Sequence, residues 1–308
     1  MADIVICEFM DEPVLRAAFA EHDFLYDASL VDRPQDLAAA VADARALIVR
    51  NRTQVRGALL EAAPQLRVIG RLGVGLDNID LDACKARNIA VHPATGANDV
   101  SVAEYVITAM LMLLRRAWFA TPDMLSGRWP RMSTIGREVS GKSLGLIGFG
   151  AIARETARRA VALGMRVRAY DPYLAARDTA WQLAERVDLD ALLASCQVIS
   201  LHVPLTAQTR HMINETRIEQ MPKGSVLINA ARGGAVDEDA VAAALRNGHL
   251  GGAALDVFER EPLDAGAAAK FAGVPNLVLT PHIAGVTDES NVRVSAVTAE
   301  VVLRYLYD

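Results

Sequence analysis

Short apolar runs alternate with alanine-rich amphipathic stretches along nearly the whole chain, the pattern of α/β folding around parallel sheets. In the first third, strands are predicted at "IVICEF" (4–9), "ALIVR" (46–50), "LRVIGR" (66–71) and "IAVHP" (89–93), with a weaker one near "FLYDA" (24–28). Helical patterns lie between them, among them "DLAAAVADA" (36–44) and "GALLEAAP" (57–64). A long helix is expected from Val100 to Ala117, with Asn98 and Asp99 as caps. A second and longer series opens at Ser143: "SLGLIGF", "RVRAYD", "VISLHVP", "SVLINAA", "GGAALDVF" and "LVLTPH". A last helical pattern runs from Asp288 to Leu306. Two such series predict two similar doubly wound parallel-sheet domains, with the final helix returning to the first of them.

The 308 residues suffice for two ordinary domains, and at 52% hydrophobic and 22% charged they can bury sizeable cores. A net charge of -5 argues against a general nucleic-acid binder, which needs a basic face. Cys7, Cys84 and Cys196 show neither disulfide nor metal-ligand spacing, so they read as buried, reduced thiols of a cytoplasmic protein with no metal site. The start carries Asp3 and lacks the basic region and cleavage site of a signal peptide. The most apolar stretch, "VAEYVITAMLMLLRR", includes Glu104 and is too short to span a bilayer, so no membrane partner is expected.

The most informative local pattern is "LGLIGFGAIARETARRAVALGMRVRAYDP". A strand ends at Ile147, and Gly148 to Ala153 read G-x-G-x-x-A. Gly148 permits the tight turn, Gly150 lets backbone approach a pyrophosphate, and Ala153 is small enough for close helix–strand packing. The following helix offers unpaired N–H groups and a favourable dipole to phosphates. Asp171 ends the next strand about twenty residues on, as the dinucleotide pattern requires. It is placed to accept from ribose hydroxyls and to repel a 2′-phosphate, favouring NAD over NADP. The alternative for Asp171 is a turn residue before Pro172.

Three later strand ends each deliver polar groups: Arg232 before two glycines, Asp256 with Glu259 and Glu261, and His282 after Pro281. In open α/β sheets, ligands bind beyond the carboxyl ends of strands. Taken singly, a strand-end His or Arg is more often structural. Beside a cofactor loop, they match what hydride transfer to a ketone needs. A cation holds the carboxylate and polarises the carbonyl, and an acid protonates the forming alkoxide. A carboxylate next to the His would orient it and favour its protonated form.

With "GRLGVGLDNID", "GANDVSVAEYV", "GLIGFGAIA", "LHVPLTAQT", "INAARGGAVDE", "ALDVFEREPL" and "TPHIAG" in order along the chain, the sequence closely resembles the D-isomer-specific 2-hydroxyacid dehydrogenases. The likeness is to the branch with D-3-phosphoglycerate and sulfolactate dehydrogenases. The resemblance implies a catalytic Arg232, Glu261 and His282, with Glu261 preferred over Glu259 because it precedes Pro262. It places Gly148, Gly150, Ala151 and Ile152 under the pyrophosphate and Asp171 on the adenosine ribose. Pro204 would border the cofactor, whereas His202 reads as structural. Ala230, Ala231, Arg232, Asp256, His282, Ile283, Ala284 and Gly285 would line the nicotinamide side. It implies a Rossmann cofactor domain, 98–281, inserted into a flavodoxin-like substrate domain of 1–97 and 282–308. No C-terminal regulatory domain, and hence no serine feedback through one, is expected. A homodimer joined through the cofactor domains is expected too, with the Trp118 to Gly136 region as an exchanged arm or else a surface loop.

The same resemblance implies that backbone N–H groups of Val74 and Gly75 meet the substrate carboxylate together with Arg232. Arg50 and Arg52, in "ALIVRNRTQ", and Arg71 add positive charge from the substrate domain. Guanidinium suits phosphate or sulfonate because it makes two parallel hydrogen bonds to an oxyanion. The expected substrate is therefore a small 2-hydroxy acid with a second negative group, 3-phosphoglycerate or 3-sulfolactate. Glyoxylate/hydroxypyruvate reduction is the alternative within the class. An NAD-sensing corepressor-like binding protein is the alternative outside it.

Overall fold

The structure is a computed structural model and describes residues 2–307. The chain forms two compact units. The first runs up to Asn98 and resumes at Val286; the second is Asp99–Gly285. The segment before the second break is tied to the second unit by Asp256: its carbonyl accepts the His282 N–H, and its carboxylate accepts the Ile283 and Ala284 N–H groups, all at 2.8 Å.

In the first unit, five strands alternate with short helices: β1 Ile4–Ile6, α1 Glu12–Ala18, β2 Phe24–Tyr26, α2 Pro34–Ala40, β3 Ala46–Val49, α3 Ala58–Glu61, β4 Val68–Arg71, α4 Leu81–Ala86 and β5 Ala90–Pro93. They form one parallel sheet in the order β2-β1-β3-β4-β5, the flavodoxin-like order. The central strands β1, β3 and β4 are fully buried and almost wholly apolar because both faces are covered, while the edge strands β2 and β5 are half-buried. Val5, Leu47, Val49 and Ile69 pack on one face under α2 and α4, while Ile4, Ile6, Ile48 and Val68 pack on the other. The C-terminal helix, Asp288–Tyr307, lies on that second face through Val294, Ala299, Val302 and Leu306. Gly70 sets how closely it can lie. A Cβ there would sit 2.7 Å from methyl carbons of both Thr298 and Val302.

The second unit opens with α5 Asp99–Arg115, then α6 Thr121–Leu125. The expected helix start at 100 moves to Asp99, which takes helical geometry itself. There follow β6 Ser143–Ile147, α7 Ala151–Ala162, β7 Arg166–Tyr170, β8 Glu185–Arg186, α8 Leu189–Ser195, β9 Val198–Leu201, α9 Glu215–Gln220, β10 Ser225–Asn229, α10 Glu238–Arg246, β11 Leu250–Leu255, α11 Ala265–Ala268 and β12 Leu277–Leu279. All seven strands are parallel, in the order β12-β11-β10-β9-β6-β7-β8. The order reverses between β6 and β9, the switch point where such sheets bind ligands. Strand β8 was not foreseen, because its two residues are both charged and both exposed. The α5 and α7 helices cover one face; Leu192, Ile218, Val241 and Leu245 of α8 to α10 cover the other. No described helix is long and apolar enough to cross a membrane.

Just past β9, the His202 ring Nε2 meets the Ser200 hydroxyl at 3.0 Å. Desolvation by the packing around it holds the imidazole down at about 4.

Two stability measurements follow. Gly70→Ala is expected to cost about 1–3 kcal/mol by overpacking the C-terminal helix against β4, read as a lower urea midpoint. For His202, the unfolded chain binds the proton more tightly than the folded one. Stability should therefore fall as pH drops from about 6.5 towards 4. His202→Gln should flatten that part of the stability–pH curve relative to wild type; parallel curves would refute the assignment.

Candidate active site

Gly148 turns the chain out of β6 with φ 86°, and a Cβ there would lie 2.4 Å from the His202 carbonyl oxygen. Only glycine fits that turn. Gly150 caps α7 in extended geometry, and its absent Cβ faces open space, with nothing within 4 Å. Ala151 is exposed and Ile152 half-buried on the first turn of the helix, while Ala153 is fully buried against the sheet. The loop thus leaves free N–H groups of a twelve-residue helix beside a cradle that a larger side chain at 150 would fill.

Asp171, at the end of β7, is a turn residue that uses both of its carboxylate oxygens. One carboxylate oxygen accepts from the Tyr173 and Leu174 N–H groups at 2.9 and 3.2 Å, making a turn. The other accepts the Phe149 N–H at 2.9 Å and so ties the turn to the glycine loop. The carboxylate stays half-buried, with lone pairs left for hydroxyl donors. These residues fit an adenine dinucleotide. Pro204 is exposed, and its carbonyl accepts the Thr209 hydroxyl at 2.6 Å.

At the end of β10, the Asn229 side chain shapes the next turn. It accepts the Ala231 N–H at 3.1 Å and donates to the Arg232 carbonyl at 2.8 Å. Ala230 and Ala231 are half-buried in this turn, and Arg232 Nη1 donates to the Ala231 carbonyl at 2.5 Å. Gly233 explains the residue type that follows Arg232: a Cβ there would overlap the Phe258 carbonyl oxygen at 1.7 Å. The arginine loop is therefore packed directly on the segment that carries Glu261.

Glu261 Oε2 lies 2.7 Å from His282 Nδ1, and Oε1 accepts the Phe258 N–H at 3.0 Å. Burial pushes the Glu261 carboxyl up, but the His282 hydrogen bond and the positive charges of His282 and Arg232 outweigh it. The carboxyl ends below its ordinary value. Glu259 goes elsewhere, 2.9 Å from His211 Nε2. His282 itself has φ 57°, an uncommon backbone for a residue with a side chain. Its position is set by the fully buried Asp256, whose Oδ1 also accepts the Thr280 hydroxyl at 2.6 Å. Burial raises the Asp256 carboxyl despite these bonds. Ile283 remains partly exposed, Ala284 is buried and Gly285 half-buried.

In the first unit, Arg50 is half-buried, and its Nη2 donates to Asn291 Oδ1 at 2.8 Å. Arg52 is exposed and forms an ion pair with Asp32. Arg71 is buried, with Nη1 donating to the Leu72 carbonyl at 3.0 Å under the Gly73 turn. Val74 and Gly75 are half-buried, and no described residue accepts their N–H groups.

Several residues of these networks were not singled out from the sequence: Tyr105 behind Thr280 and Asn78 behind the Arg50 loop, although both lie inside quoted family motifs, and Asn291 on the C-terminal helix and Glu8, which lie in none of those motifs. Glu8 alone offered a clue, as an acid directly after a fully apolar strand. Among the described residues, no group of three His, Cys, Asp or Glu side chains is placed to hold a metal ion.

Comparison with known proteins identifies the family. The family model of the D-isomer specific 2-hydroxyacid dehydrogenase NAD binding domain matches residues 107–284. The chain is 54% identical over 307 residues to (S)-sulfolactate dehydrogenase of Chromohalobacter salexigens, covering 99% of each protein. It is 41% identical to D-3-phosphoglycerate dehydrogenase of Archaeoglobus fulgidus, over 86% of this chain but only 50% of that one. Its fold matches the crystal structure of D-lactate dehydrogenase from Aquifex aeolicus, complexed with NAD and lactic acid, with a TM-score of 0.87 and 32% identity. That match covers 98% of this chain and 95% of that one. The chain belongs to the D-isomer specific 2-hydroxyacid dehydrogenase family and is an NAD-dependent oxidoreductase of the branch it shares with these sulfolactate and phosphoglycerate dehydrogenases.

Proposed function

We propose that the protein interconverts a small 2-hydroxy acid and its 2-oxo acid, that the acid carries a second anionic group, and that 3-sulfolactate is the substrate. The observation that carries the chemistry is the 2.7 Å His282–Glu261 pair, held in the same unit as the glycine loop. The near-full-length 54% identity to a sulfolactate dehydrogenase favours sulfonate over phosphate.

Bound NAD supplies the hydride acceptor for C2 of the hydroxy acid. His282 Nε2 takes the hydroxyl proton during oxidation and returns it during reduction, while its Nδ1–H is held by Glu261. The ionised Glu261 fixes the ring orientation and stabilises the imidazolium. Arg232 holds the substrate carboxylate, and the unclaimed N–H groups of Val74 and Gly75 are anion donors offered by the first unit. Arg50 reads the second anion. Arg52 contributes less, because Asp32 already neutralises it. Gly148 to Ile152 seat the pyrophosphate and Asp171 the ribose. Pro204, Ala230, Ala231, Asp256 and the segment 282–285 line the nicotinamide side.

We further place a homodimer contact on residues 118–136. There Trp118, Leu125, Trp129 and Met132 are exposed at 66%, 85%, 76% and 77%. Three buried free thiols fit a reducing compartment such as the cytoplasm.

His282→Ala should lower kcat by roughly 10²–10⁴-fold while leaving NADH binding near normal, read by steady-state rates and fluorescence titration. Turnover near that of wild type would overturn the assignment. Glu261→Gln removes the anion that holds the pair's proton. The alkaline limb of the reduction profile should then move to lower pH.

With NADH, sulfopyruvate should exceed phosphohydroxypyruvate and hydroxypyruvate in kcat/KM. Arg50→Ala should remove about 1.5–3 kcal/mol of that advantage, the worth of a hydrogen bond to a charged group, and Arg52→Ala clearly less. No dianion advantage in wild type would sink the substrate assignment and leave the reaction class intact.

A further inference from the structure

Arg50 and Arg52 leave β3 two positions apart and meet different electrostatic fates. Arg52 is spent on Asp32 at the exposed surface. The direct contacts of the Arg50 guanidinium are neutral: its Nη2 donates to Asn291 Oδ1 at 2.8 Å, and it lies 5.6 Å from the Phe9 ring centroid. The neighbouring carboxylate, Glu8, is only 4% exposed; its charge offsets the burial of Arg50 in part, but its hydrogen bonds go to the backbone. Its oxygens accept the backbone N–H groups of Arg50, Arg52 and Thr53 at 2.9, 3.2 and 2.9 Å. The Asn78 amide braces the same loop by donating to the Arg50 and Thr53 carbonyls at 3.2 and 2.7 Å. Among the described residues, no carboxylate forms an ion pair with Arg50.

A guanidinium so placed bears a cost. Burial lowers its proton affinity below the ordinary arginine range, which marks a charge short of compensation. Neighbouring chemistry could easily have removed that cost, since an aspartate has the same shape as Asn291 and would complete a charged pair.

We infer that Asn291 is the specificity-determining positioning residue of this protein: its neutral amide oxygen fixes the direction of Arg50 and leaves the charge of Arg50 for the substrate's second anion. The inference rests on the dianion reading above and adds how the first unit enforces it. The residue that sets selectivity sits far along the chain, on the C-terminal helix, and touches the anion only through Arg50.

The test compares wild type, Asn291→Asp and Asn291→Ala with NADH and either sulfopyruvate or hydroxypyruvate, with thermal melts to verify folding. In Asn291→Asp the guanidinium is neutralised in place. The ratio of kcat/KM for sulfopyruvate over hydroxypyruvate should fall roughly 10- to 100-fold, mainly through the sulfopyruvate KM, the scale expected for a charge-assisted contact. Asn291→Ala removes the tether without adding charge, so the ratio should fall less, by about 3-fold, the scale of a neutral hydrogen bond. An unchanged ratio in Asn291→Asp overturns the inference. So does an equal loss for both substrates in both variants, which would make Asn291 merely structural. If wild type itself shows no preference for sulfopyruvate, the dianion reading falls first and takes this inference with it; that arm involves no variant, so the two failures are distinct.

Discussion

Asp256 is the side chain on which the reacting end of the second unit depends. It is fully buried, a costly place for a carboxylate, and it accepts three hydrogen bonds there: from the Thr280 hydroxyl and from the Ile283 and Ala284 N–H groups. Its own carbonyl takes the His282 N–H. Since Thr280 donates to Asp256, the Tyr105 hydroxyl must donate to Thr280, at 2.5 Å, so α5 backs the same chain of bonds. The left-handed backbone of His282 is affordable only under such over-determination. The clamp thus fixes the backbone from which the imidazole reaches Glu261.

The first unit uses the same device for a different end. Glu8, at the end of β1, accepts three N–H groups of the loop after β3, just as Asp256 gathers those of the segment after β12. In both cases a buried carboxylate is satisfied by backbone donors from the next loop at the carboxyl ends of the strands. Each loop gains its shape chiefly through backbone donors, with the Thr280 hydroxyl added in the second. That leaves Arg50 in one unit and His282 in the other with donors to spare.

Much of this was legible in the chain. Strand positions followed from apolar runs because parallel strands buried on both faces cannot be anything but apolar. The glycine loop was legible because Gly148 answers a steric demand of the backbone, and such demands admit few residue types. Gly233 belongs with it, although its reason, contact with the Phe258 carbonyl, lies twenty-five positions away and could not be read. What stayed hidden was pairing across sequence distance. Nothing in "RNRTQ" tells that Arg52 meets Asp32 while Arg50 meets Asn291, since both contacts are made by the fold. The two-residue strand β8 lacked any apolar signal because its side chains point to solvent. The bonds that tie the segment 282–284 to Asp256 are likewise made by the fold and leave no mark in composition.

The two Glu–His pairs show why residue type alone cannot assign a role. Glu259–His211 and Glu261–His282 have nearly the same separation, 2.9 and 2.7 Å. They differ in their surroundings. The Glu259 N–H is taken by the buried Glu238, which in turn holds Lys270 at 2.8 Å, so that pair sits in a network of alternating charge at the rim. Glu261 instead receives the Phe258 N–H and the field of Arg232, brought close because Gly233 lets the two loops touch. The second pair therefore combines a fixed imidazole, a carboxyl held below its ordinary value and the nearby Arg232, whereas the first is bridged through Glu238 to Lys270. Those are the parts that a proton and a substrate carboxylate require together, and the backbone, through Gly233 and Asp256, puts them there.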